Sequence, residues 1–181
     1  MTADRRPTWL RRLTIRDVAA RPKLGSGRTR DDTTWPLDTA RIEEYLVSKG
    51  FRFVRDVDGD LTGSWDDNRF WFMLLGGRRE IVQVRGRWNK PVLLADRSIA
   101  LHVTNDWNRE RIWPKVYLRT EEDSLALYCE VSVDFGAGAT DAQLAQVLAC
   151  GLGTGLQFFA SVDAQLSGGL APGPTDAGTI N

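Results

Sequence analysis

Residues 125–135, Leu-Ala-Leu-Tyr-Cys-Glu-Val-Ser-Val-Asp-Phe, alternate so regularly that they constrain the fold more than any other stretch. Leu125, Leu127, Cys129, Val131, Val133 and Phe135 share one face; Ala126, Tyr128, Glu130, Ser132 and Asp134 share the other. A period of two predicts a strand with one buried and one accessible face, the pattern of an antiparallel sheet covered on one side. Residues 80–88 repeat it, with Val82, Val84 and Trp88 against Gln83, Arg85 and Arg87.

The links between strand-like segments are short. Phe51 to Arg55 leads to the hairpin dipeptide Asp58-Gly59, followed by Leu61 to Trp65. Asp66-Asp67-Asn68 turns the chain into Phe70 to Leu75, and Gly76-Gly77 turns it again. A parallel crossover needs a dozen residues or more, so these strands are expected to be antiparallel. Lys115 to Arg119 and Leu125 to Phe135 form a second expected hairpin.

Three helices frame the strands. Thr39 to Lys49 carries Ile42, Tyr45 and Leu46 on one side, with Asp38 or Thr39 to cap it and Gly50 to stop it. Leu94 to Arg109 places Ala95, Ile99, Val103 and Trp107 at helical spacing, and Pro114 marks its exit. Thr140 and Gln143 form a capping box for a last helix running through Leu144, Leu148, Leu152, Leu156, Phe159 and Val162. The expected fold is α+β, in the order α-β-β-β-α-β-β-α, with all helices on one face of an antiparallel sheet.

The opposite face is then expected to carry Gln83, Arg85, Arg87, Tyr117, Arg119, Tyr128 and Glu130, with Trp71 or Met73. Arginine and aromatic residues with interspersed acids have the composition of a recognition surface. Phe70-Trp71-Phe72-Met73-Leu74 is apolar on both faces, so its outer side is expected to be covered. Arg109, Arg111 and Trp113 are further candidates for partner binding, whereas Trp107 reads as core. Replacing Arg85, Arg87 and Trp71 together is expected to abolish partner capture with little change in thermal stability.

Charge divides the chain. Residues 1–30 hold nine basic and two acidic side chains, a net +7, so the remainder carries −7 and the total is zero. The expected organisation is a basic, disordered arm (1–34), a folded domain (35–166) and a flexible Gly/Pro-rich tail (167–181). Such an arm offers a second reading, nucleic-acid association that is salt-sensitive and lost with the arm. The N-terminus shows no apolar stretch of signal type, and no apolar run approaches the roughly 20 residues of a membrane span. With two cysteines and no C-x-x-C, a reducing cytoplasmic setting is expected.

No catalytic or cofactor set assembles. Gly151, Gly153 and Gly155 fit neither G-x-G-x-x-G nor a phosphate-binding loop, and close backbone approach to the sheet or a second subunit explains them better. Asp56-Val57-Asp58-Gly59-Asp60 has Leu61 and Asp67 where a calcium loop needs Gly and Glu, so a hairpin turn is expected. His102 is the single histidine, and Cys129 and Cys150 read as small core residues. Glu130 and Asp134 stand roughly 13 Å apart at strand rise, too far for a carboxylate pair. Neither an enzyme, a metal nor a cofactor is expected.

The segments Val84-Arg85-Gly86-Arg87-Trp88, N-D-W-N-R-E-R-I-W-P-K-V-Y (105–117), E-V-S-V-D-F (130–135) and C-G-L-G-T-G-L-Q-F-F (150–159) resemble the YbjN-domain family. The resemblance spans Leu37 to Val162 and omits both ends. It implies a fold similar to type III secretion chaperones, which often dimerise and bind partner proteins without catalysing a reaction. It also implies a role in sensory-transduction regulation and transfers no catalytic residue. Together these readings point to a non-enzymatic, homodimeric protein-binding module acting through Trp71, Arg85, Arg87, Arg109, Arg111, Trp113, Tyr117, Arg119 and Tyr128.

Overall fold

A computed structural model describes residues 33–121 and 124–168. The arm, apart from Thr33 and Thr34, and the tail beyond residue 168 lie outside the described residues. The chain forms α1 (Thr39–Ser48), β1 (Val54–Arg55), β2 (Leu61–Trp65), β3 (Asn68–Leu75) and β4 (Ile81–Arg87). A 3₁₀ turn (Leu94–Asp96) leads into α2 (Arg97–Glu110), then β5 (Lys115–Glu121), β6 (Ser124–Asp134) and α3 (Asp141–Gly168). One antiparallel six-stranded sheet results, in the order β1-β2-β3-β4-β6-β5; four strands precede α2 rather than the expected three, because the short β1 pairs with β2 as a strand of its own.

Local chemistry places the elements. The Asp38 carboxylate accepts from the Ala40 amide at 2.9 Å and starts α1, and Gly50, at φ +68°, ends it. Asp66 and Asp67 both adopt positive φ, the conformation of a tight hairpin, so β3 begins at Asn68. Thr140 and Gln143 make the reciprocal capping bonds at 2.9 and 3.1 Å that open α3. The first strand is shorter than its sequence predicts: Phe51 and Phe53 pack against the core, and only Val54 and Arg55 pair with β2.

The helices cover one face. Phe70, Phe72, Val82, Val84, Leu127, Cys129 and Val131 on that face are at most 1 % exposed, as are Leu148, Leu152, Phe158 and Phe159 of α3. The phase of α2 departs from its sequence reading. Its buried residues are Ala100, Val103, Thr104 and Trp107, while Ala95 and Ile99 face solvent. The 3₁₀ turn occupies the predicted first turn, so the α-helical phase is set later, at Arg97.

Helix α3 is the one described helix with the length and composition of a membrane span, and it lies on the sheet as a core helix. Its residues Asp141–Leu166 have span length and a mean hydropathy of 1.3 over an 18-residue window. One side is apolar because it lies on the sheet; the other contributes Ala142, Gly153, Ala160 and Ala164, which raise hydropathy without charge.

Two of the three α3 glycines have a steric reason. A Cβ on Gly151 would stand 2.6 Å from Val84 Cβ, and one on Gly155 would stand 2.8 Å from Cys129 Sγ and 2.9 Å from Phe70. Gly153 points away, with nothing within 4 Å of an added Cβ. Gly151→Ala is therefore expected to cost about 1–3 kcal/mol through overpacking, and Gly155→Ala a similar amount. Gly153→Ala should stabilise by up to about 1 kcal/mol through helix propensity. Denaturant melts of the three variants check this ordering; a stabilised Gly151→Ala would contradict it.

Candidate functional site

With every helix on one side, the sheet's outer face is built by strand register. Arg69, Arg87, Tyr128 and Tyr117 form one row across β3-β4-β6-β5, and Thr62, Trp71, Arg85, Glu130 and Lys115 form the next across β2-β3-β4-β6-β5. Arg119, opposite Ala126, completes the set on β5. Six of the nine candidate residues are thus brought onto one surface. Arg109, Arg111 and Trp113 stand instead where α2 passes into β5. There Arg109 pairs with Asp106 at 2.9 Å, the Arg111 guanidinium lies 4.5 Å from the Trp107 ring centre, and Trp113 is 43 % exposed.

Most of the outer-face arginines are held by the sheet itself. Arg87 binds Glu121 through Nε at 3.1 Å and Nη2 at 2.6 Å, and the Tyr128 hydroxyl donates to the other oxygen of that carboxylate. Tyr128 and Tyr117 stack with ring centres 5.7 Å apart. The Tyr117 hydroxyl and Lys115 Nζ each donate to Glu130 at 3.1 Å. Arg85 Nε sits 3.5 Å from Glu130, an ion-pair distance, and forms no hydrogen bond although it is shielded from water. Arg69 donates to Thr62 and lies over the Trp71 ring. Replacing Arg85, Arg87 and Trp71 together would dismantle these contacts, so its stability cost should exceed the small one expected from sequence.

Arg119 differs: it is exposed and makes no ion pair with a described residue. It lines a cleft of about 230 Å³ with Arg85, Tyr128, Trp71, Met73, Asp56, Asp58 and Asp60. The acidic wall is the β1–β2 turn, whose shape comes from Asp56: its carboxylate accepts from the amides of Asp58 and Asp60 at 3.1 and 2.9 Å. Burial, then the neighbouring Asp56 charge, pushes the Asp60 carboxyl up. The turn shares this cleft with the outer side of β3, where Met73 is 8 % exposed and Trp71 half-buried. Acidic and basic walls face one cleft, and among the described residues no ion pair joins Asp56, Asp58 or Asp60 to Arg85 or Arg119. A larger hollow of about 600 Å³ near Trp35, Arg41 and Arg79 contains none of the nine candidates.

Sequence reasoning missed the acidic wall as part of the site, having read Asp56–Asp60 only as a turn. It also missed Glu121, which lies 34 residues from its partner Arg87. Asn108, which the sequence places within the block 105–117 without a role of its own, pins the start of β5: its side-chain amide accepts from Val116 N at 2.9 Å and donates to Val116 O at 2.8 Å. The cysteines are free: burial pushes both thiols up, with Cys129 enclosed in the core.

The network titrates at both ends of the pH scale. Hydrogen bonds from Arg87 and then Tyr128 hold the Glu121 carboxyl below its usual range. Its stabilising contribution is present above the unfolded carboxyl pKa and lost as pH falls through the depressed one. Arg87→Gln should cost about 1 kcal/mol at pH 7, a deficit that shrinks below about pH 4; a pH-independent deficit in denaturant melts would contradict the assignment. Burial pushes Tyr45 and Tyr117 up to about 12, the latter helped by Glu130, and raises Tyr128 as well. These are the chain's three tyrosines. Absorbance titration should therefore show little tyrosinate in the folded protein at pH 10.0, where free tyrosine is half ionised. The associated stability is lost as pH rises from about 10 through the folded values.

Comparison with known proteins matches residues 38–164 to the YbjN family, described as "Putative bacterial sensory transduction regulator". No curated protein matches the chain in sequence. Among solved structures, the chain is similar to YbjN from E. coli, a putative transcription regulator, with a TM-score of 0.65 and 12 % identity over 74 % of this chain and 96 % of that one. It also aligns with the structure of the HopA1-SchA chaperone-effector complex at a TM-score of 0.44 and 14 % identity, over 70 % of this chain and 97 % of that one. The family match spans the sheet and all three helices, and on that ground the chain belongs to the YbjN family.

Proposed function

We propose that the chain is a non-enzymatic, cytoplasmic protein-binding module that works as a homodimer and takes an extended segment of a partner protein on the outer face of its sheet. The observation that carries this reading is the cleft whose acidic and basic walls are not paired across it. A polypeptide segment carries amides and charges of both signs, so it can meet both walls while laying an apolar side chain on the half-buried Trp71 ring. Arg119 is the exposed cation of the basic wall and Trp71 the aromatic floor, the two residue types most often dominant in binding energy. The family's description as a sensory-transduction regulator supports a role exercised through binding.

A displayed library of random peptides, selected on the full chain, tests the reading. Selected peptides should lose at least about tenfold in affinity on Arg119→Ala and on Asp58→Ala, roughly 1.4 kcal/mol each. Both side chains are exposed, so folding stability should change by less than about 0.5 kcal/mol. Peptides that bind both variants as tightly as the parent would place the docking surface elsewhere.

A further inference from the structure

Strand β5 forms one border of the sheet, and its backbone groups are only partly used. The Asn108 amide, reaching over from the end of α2, makes with Val116 the reciprocal pair of bonds that a neighbouring strand would make. That contact also shows which groups point outward. Val116 turns its N–H and C=O away from β6, and by strand alternation Leu118 and Thr120 do the same. Among the described residues nothing bonds the outward groups of Leu118 or Thr120. An open edge of this kind is a template for pairing with another strand.

The sequence of the strand, Lys-Val-Tyr-Leu-Arg-Thr-Glu, is self-complementary about its centre. In an antiparallel pairing with the two-fold axis at Leu118, Lys115 stands opposite Glu121 of the second copy and Tyr117 opposite its Arg119. Leu118 meets Leu118 on the helix-covered face, and Val116 meets Thr120. Opposite charges and aromatic–arginine pairs directly across a ladder are stabilising. Both neighbouring registers that keep the outward groups paired oppose like charges: one sets Arg119 against Arg119, the other Lys115 against Arg119.

We infer that β5 pairs antiparallel with β5 of a second copy, centred on Leu118, joining two sheets into one of twelve strands, and that Asn108 occupies Val116 until the second copy's Thr120 replaces it. The interface is isologous and closes on itself. It rests on the homodimer proposed above and specifies where that dimer forms. The two surfaces share Arg119, but the cleft floor lies across β3, β4 and β6, so Asp58→Ala, which touches only the cleft, and Thr120→Pro, which touches only the β5 edge, tell the two readings apart.

Cross-linking of the full chain in a Cys150→Ser background tests the register. Residues 117 and 119 of opposite copies form a non-hydrogen-bonded pair, with Cα atoms about 4.5 Å apart, within disulfide range. Tyr117→Cys mixed with Arg119→Cys should give a disulfide-linked dimer on mild oxidation, whereas neither variant should cross-link alone. Sedimentation equilibrium reads the affinity. Thr120→Pro removes an amide donor that the monomer leaves unused, and should weaken the dimer about tenfold with an unchanged far-ultraviolet circular dichroism spectrum. Asn108→Ala frees Val116 for its new partner and should tighten the dimer about tenfold, since two modest hydrogen bonds no longer have to be exchanged. A dimer in which Arg119→Cys cross-links alone, or in which Thr120→Pro and Asn108→Ala change nothing, overturns the β5 pairing but leaves the homodimer standing. A chain that stays monomeric at high concentration overturns both.

Discussion

The approach of α3 to the sheet organises the molecule. At Gly151 and Gly155 the helix backbone comes so near to β3, β4 and β6 that even a methyl group would collide with Val84, Cys129 or Phe70. Gly86 on β4 meets the same contact from the sheet side, where an added Cβ would fall 2.6 Å from the Phe70 ring. Each mid-helix glycine costs up to about 1 kcal/mol in propensity, which close packing along the whole inner face outweighs. With this helix seated, α1 and α2 flank it on the same side, and Trp107 reaches the Phe158 ring at 5.2 Å.

One-sided coverage has a cost that the outer face answers with polar chemistry. Side chains there are too far from any helix to be buried by packing, so they cover one another. Arg87, Glu121 and Tyr128 form one closed unit, and Arg85, Glu130, Tyr117 and Lys115 another. Seven side chains from three strands thus tie three cations to two carboxylates and give the face rigidity. Arg119 and the Asp56–Asp60 turn remain outside this pairing, and both line the cleft that also holds Trp71 and Met73.

Local signals made much of this legible in the chain. Helix caps at Asp38 and Thr140, the turns at Asp58-Gly59 and Asp66-Asp67, and the alternation of β4 and β6 depend on neighbours within four residues. The membership of the outer face followed from the same alternation, because a strand period of two assigns every side chain once one face is known to be buried. Where a signal was mixed, it misled. Ala95 and Ile99 fit a helical period, yet the 3₁₀ turn shifts the phase and leaves both in solvent. The apolar length of α3 reflects burial on one side and small residues on the other, two causes that a count of apolar residues does not separate.

By itself, then, the sequence determined the alternation of helices and strand groups, the antiparallel pairing and the sidedness of β4 and β6, because these are properties of short segments and of links too short to cross over; it counted one strand too few before α2. Tertiary structure alone decided which charges are available. Whether Arg87 is a binding group or a tie depends on Glu121, which lies on a strand that is not even adjacent to its own. Whether the β5 edge is open depends on one asparagine at the end of a helix. Ion pairing and edge protection are contacts between residues distant along the chain, fixed only when strand register and helix phase are fixed together.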